Sequence, residues 1–137
     1  MAFLFEAPEL DPDEVSTLLQ VRATSAARRG DERLNYSGHV VGVEEHGWWS
    51  LSTEGAVDSK DINEHFRYLR DRLNVTREIL DSIAPNGRTY IDVLWESTYL
   101  YAGTGPLLDA EAIDWAAAVG AGMGFDIYQV ADDENAV

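Results

Sequence analysis

Between Thr89 and Glu96 the chain alternates with a period of two: Ile91, Val93 and Trp95 fall on one side, and Tyr90, Asp92, Leu94 and Glu96 on the other. That period suits a strand with one buried and one wet face, and it cannot be laid on a helix. Gly103-Thr104-Gly105-Pro106 then breaks the chain, and Leu107-Leu108 leads to Asp109, a helix N-cap. Residues 110–119 are alanine-rich, with Ile113, Ala116, Ala117 and Val119 read as a close-packing helix face ended at Gly120. Phe125 to Val130 closes as a strand. A strand, a crossover helix and a second strand form a βαβ unit, which ties the C-terminal third to a layered sheet.

The rest of the chain supplies further elements. Residues 2–6 are a short apolar strand. Asp11-Pro12-Asp13-Glu14 reads as a helix start, with Asp11 at the N-cap, Pro12 at the first position and Glu14 closing a capping box; Val15, Leu18 and Leu19 follow at helical spacing. The stretch from Ala23 to Ser37 has no clear period and reads as a loop or irregular strand. Val40, Val41 and Val43 mark a strand, Glu44 to Gly47 a polar turn, and Trp48 to Thr53 a second strand, which together look like a hairpin. Asp58 or Ser59 is expected to cap a helix whose stripe is Ile62, Phe66, Leu69 and Leu73. Asn74-Val75-Thr76 interrupts it and caps a second short helix with Ile79, Leu80 and Ile83, which Pro85-Asn86-Gly87 ends. The expected fold is α+β: one sandwich domain over residues 1–131, with a mostly antiparallel or mixed sheet, helices on one face, and a ferredoxin-like unit extended by a further βαβ. Residues 132–137 are expected to form an acidic, frayed tail.

Charge then narrows the function. The chain carries 25 Asp and Glu against 10 Lys and Arg, a net −15 over 137 residues, and nine of the ten cations are arginine. Such a surface repels nucleic acid and anionic lipid and attracts basic partners. Genome composition or salt adaptation also produces this bias. Cysteine is absent, which excludes disulfides and thiolate chemistry. The N-terminus lacks a basic leader and no apolar run spans a bilayer, so the expectation is a soluble cytoplasmic protein.

Signatures of chemistry are weak. His39, His46 and His65 match no metal-ligand spacing, so no metal or other cofactor is expected. Gly120-Ala121-Gly122-Met123-Gly124 follows a helix and precedes a strand, the reverse of a dinucleotide loop, and reads as a helix C-cap and flexible link. No nucleophile elbow occurs. Asp92 and Glu96 share a strand face, where strand alternation alone predicts solvated acids; Asp126, a lone acid in an apolar strand, is a candidate for burial. Trp48 and Trp49 are adjacent, so one ring enters the core and the other is exposed or covered by residues 23–37. Arg67, Arg70 and Arg77 lie among Glu64, Asp71, Glu78 and Asp81, a mixed-charge helix face. The residues singled out for binding are Trp48, Trp49, Glu44, Glu45, Asp92, Glu96, Tyr99 and Tyr101.

Four ordered runs carry a resemblance. They are Asp11-Pro12-Asp13-Glu14-Val15 through Leu18-Leu19, Thr24 and Arg29-Gly30-Asp31; Gly47-Trp48 through Leu51 and Ser52; Asp61 through Glu64-His65 to Leu69; and Leu107-Leu108-Asp109 through Ile113, Gly120 and Phe125-Asp126-Ile127-Tyr128. Together they resemble bacterial domain-of-unknown-function family 4279 over nearly the whole chain. Ala23 departs from the proline that family places before the threonine. The resemblance brings no established activity, and some members look like immunity proteins encoded beside toxins. The first functional expectation is a non-catalytic binding protein, an immunity-type inhibitor of a basic toxin, with oligomeric state left open. A small-molecule or peptide-binding module comes second, with a pocket between the sheet and residues 23–37, and a carboxylate-dependent enzyme last.

Overall fold

The computed structural model describes residues 1–98 and 105–130. Tyr99, Tyr101 and the tail from residue 132 lie outside the described residues. The chain runs β1 (Ala2–Ala7), α1 (Pro12–Leu19), β2 (Ser25–Ala27), β3 (Glu32–Leu34), β4 (Val40–Val43) and β5 (Gly47–Ser52). It continues with α2 (Ile62–Leu73), α3 (Arg77–Ile83), β6 (Arg88–Thr98), α4 (Ala110–Ala118) and β7 (Ala121–Val130). These form one α+β domain around a mixed five-stranded sheet, ordered β2-β5-β1-β6-β7, beside a two-stranded β3-β4 sheet. The β6-α4-β7 unit is a parallel βαβ crossover, while β1 is antiparallel to both β5 and β6.

Alternation sorts the sheet into two faces. Phe3, Phe5, Trp49, Leu51, Ile91 and Val93 are buried on the inner face, where they meet Val15 of α1, Phe66 and Leu69 of α2, Leu80 of α3, and Ala112 and Ala116 of α4. Trp115 links the layers, with ring centroids 6.3 Å from Phe3 and 6.2 Å from Phe66; the latter contact is edge-on. Phe3 also meets Trp49 edge-on at 6.5 Å. Such pairs add roughly 0.5–1.5 kcal/mol beyond the area they bury.

Several local expectations hold for local reasons. Asp11, Thr76 and Asp109 cap α1, α3 and α4, and Ile62, Phe66, Leu69 and Leu73 are all buried. Others change. Asp61, rather than Asp58 or Ser59, caps α2, because its carboxylate accepts the Asn63 N–H at 2.9 Å, while Ser59 accepts the Asp61 N–H one step earlier. Glu14 does not close a capping box among the described bonds; Asp11 instead accepts from Asp13 N and pairs with Arg28. Ile113 and Leu18 face outward, about half exposed, because Ala112, Ala116 and Val119 form the buried stripe of the α4 segment and Val15 that of α1.

The expected β4–β5 hairpin does not form. β4 pairs with β3, with a bulge between Arg33 and Leu34, and β5 inserts between β1 and β2. Trp49 and Leu51 bring core volume only from that position, whereas Val40, Val41 and Val43 remain over half exposed. The glycine run is also reassigned. Gly120, at φ 70°, turns the chain after α4, but Gly122 and Gly124 belong to β7.

Candidate functional site

The outer face of the sheet gathers most of the candidate side chains. Its successive rows are Trp48–Glu6–Arg88, Ser50–Leu4–Tyr90–Gly122, Ser52–Ala2–Asp92–Gly124, Leu94–Asp126 and Glu96–Tyr128. Rows lie about 7 Å apart along the strands. The face is a floor of small residues flanked by half-buried Trp48 and Tyr90 at one end and by exposed Leu94 and Tyr128 at the other.

The glycines of β7 shape this face. A Cβ at Gly122 would meet the Tyr90 ring at 3.6 Å, and one at Gly124 would lie 3.2 Å from Asp92 Oδ1. Tyr90 and Asp92 therefore lean across β7 toward the sheet margin, over backbone that carries no side chain. Arg88 lies over the Tyr90 ring, 5.8 Å from its centroid. Cation–π contact of this kind is worth roughly 0.5–1 kcal/mol at an exposed site.

Electrostatically the face is one-sided. Glu6, Asp92, Glu96 and Asp126 stand against Arg88 alone, four acids to one cation. None of the four forms an ion pair among the described residues, and Asp92, Glu96 and Asp126 are all exposed. Asp126, a candidate for burial, is thus at the surface, because its neighbours in β7 extend beyond the part of the sheet that β1 reaches.

Five of the arginines elsewhere are held in ion pairs with other elements of the chain or one turn on. Arg28 bonds Asp11 at 2.7 Å and Asp13, and Arg29 bonds Glu9. Arg67 reaches Asp109, and Arg70 bonds Glu111 and Asp71, so the arginines of α2 lock onto α4. Arg77 pairs with Asp81 one turn on. The shallow cleft between α2 and α4 is lined by Arg67, Arg70, Asp109 and Glu111 and by Asn63, which bonds the Leu107 carbonyl and the Asp109 amide.

The structure separates some residues that the sequence grouped. Trp49 is fully buried, its Nε1–H donating to Ser16 Oγ at 2.9 Å, so it supports the sheet from the inner side. Glu44 and Glu45 follow β4, at the opposite end of the sheet from Asp92 and Glu96. The Glu44 backbone is tied to Gly30 and Asp31. Sequence reasoning placed Tyr90 beside Asp92 and Glu96 without singling it out for binding, and it missed Leu4 and Glu6 as members of this face. The alternation of β6 offered Tyr90, but nothing local reveals that β1 lies between Trp48 and Asp92.

The histidines are dispersed. His39 and His46 are exposed. His65 donates from Nε2 to the Ser59 carbonyl and shares a hydrogen bond at Nδ1 with the Thr53 hydroxyl, both at 2.7 Å. That hydroxyl also receives the Met1 α-amine at 3.2 Å; burial pushes the amine below its ordinary value, and Glu54 opposes the shift. Hydrogen bonds at both ring nitrogens mark His65 as a structural link between α2 and the chain that follows β5.

No described helix is long and apolar enough to cross a membrane. Neither a curated protein nor a solved structure matches the chain. The family model described as Domain of unknown function (DUF4279) matches residues 1–130 of the 137. The chain, with its acidic outer sheet face, belongs to that family.

Proposed function

We propose that this chain is a non-catalytic cytoplasmic binding protein that meets a basic protein through the outer sheet face and acts as an immunity-type inhibitor of a basic toxin. The observation that supports the reading is the charge division: five arginines are held in internal ion pairs, while Glu6, Asp92, Glu96 and Asp126 face outward against Arg88 alone. Uncompensated acids beside Trp48, Tyr90 and Tyr128 suit a partner that brings cations to an aromatic surface. They suit nucleic acid poorly. Acid–base catalysis by paired carboxylates draws on a water-excluded setting, and Asp92, Glu96 and Asp126 are exposed.

The test is to express each gene neighbouring the coding sequence alone and together with this chain. A neighbour that arrests growth alone, is silenced by this chain, and associates with it at a rate that falls steeply with salt is the expected result. No toxic neighbour, or association indifferent to salt, would contradict it.

A further inference from the structure

β7 is the margin of the sheet, and among the described residues it lacks the devices that protect an edge. It runs ten residues, from Ala121 to Val130, without proline, lysine or arginine, and Asp126 is its one charge. Among the described residues, its only strand partner is β6. Beyond Asp92, β6 in turn loses β1, so residues 93–98 and 125–130 continue as a two-stranded parallel ribbon. Such a ribbon is marginal in water by itself. Its side chains are also unspent: Phe125, Ile127, Leu94 and Tyr128 expose 38, 64, 59 and 56% of their surface. A long, largely apolar edge with a single charge invites another strand.

We infer that the free edge of β7 takes up an extended strand of a basic partner, in which Lys or Arg alternates with β-branched apolar residues. The inference rests on the binding function proposed above and names its mode. A strand laid beside β7 sends alternate side chains to opposite faces. On the outer face they meet Asp126, Asp92 leaning over Gly124, and Glu96 one row on. On the inner face they meet Phe125 and Ile127. Charge selects this occupant over a second copy, because pairing β7 with itself would set these acids against their own kind in a chain of net −15.

The probe is a fluorescein-labelled peptide, Lys-Val-Arg-Val-Lys-Val-Arg, followed by anisotropy at about 0.01 M salt, where the screening length is about 30 Å. A copy N-methylated at alternate residues and a copy with its cations and valines in separate blocks serve as comparisons. The alternating peptide is expected to bind at least about tenfold more tightly than either comparison. The combined Asp92→Asn, Glu96→Gln, Asp126→Asn variant is expected to lose about tenfold as well, and Ile127→Thr, which keeps every charge, to weaken binding with an unchanged thermal midpoint. If all three peptides bind alike and release in salt, strand addition is wrong while the acidic-face function stands. If the alternating peptide does not bind, or the neutralised variant holds it as tightly as the parent, the edge is not the site.

Discussion

The two margins of the five-stranded sheet are built in opposite ways. At one, β2 is three residues long, and the Thr24 hydroxyl takes the next outward amide of β5 by accepting the Ser52 N–H at 2.8 Å. The turn after β2 is then tied to the start of α1 through Arg28 and Arg29. At the other, β7 presents ten residues with a single acid and no tether among the described residues. Brevity, a side-chain block and ion pairs are how proteins close an edge to further strands. One sheet thus contains a closed margin and an open one, and three of the four uncompensated acids of the outer face, Asp92, Glu96 and Asp126, lie toward the open one.

The largest effect that probes this contrast is at the closed side. Trp49 packs on Phe3 and bonds Ser16, so Trp49→Ala should cost about 3–5 kcal/mol in denaturant unfolding. A cost below about 1 kcal/mol would mean that β5 is not anchored to α1. Next, Arg28→Ala removes both pairs to α1, but the groups are about half exposed or more, so the loss should be only about 0.2–1 kcal/mol and should shrink with salt. A larger, salt-indifferent loss would show that the turn does more than hold charge. The smallest effect belongs to the open side. Neutralising Asp92, Glu96 and Asp126 together should move stability by no more than about 0.5 kcal/mol, since none of them has an ion-pair partner among the described residues. A destabilisation well beyond that would assign the acids to the fold rather than to a partner.

How much of this was legible in the sequence depended on distance along the chain. The βαβ unit, the Ile62–Phe66–Leu69–Leu73 stripe and the caps at Asp11 and Asp109 were legible because each is written within a few turns of chain. Strand pairing was not. Residues 23–37 hold two three-residue strands too short to show a period, and the link of β4 to β3 rather than β5 depends on where Trp49 finds core volume. The site was half legible: alternation put Asp92 and Glu96 together, and the adjacency of Trp48 and Trp49 divided them between faces. The addition of Leu4 and Glu6 required the β1–β6 register. Gly122 and Gly124, read as a link, are strand residues whose missing side chains let Tyr90 and Asp92 lean outward.

Amide hydrogen exchange on the protein with and without the alternating cationic peptide tests the open margin most directly. The account predicts that the peptide slows exchange at alternate amides of β7, those directed away from β6, and leaves β2 and the α2–α4 cleft unchanged. Protection at β2, at that cleft, or nowhere would contradict it.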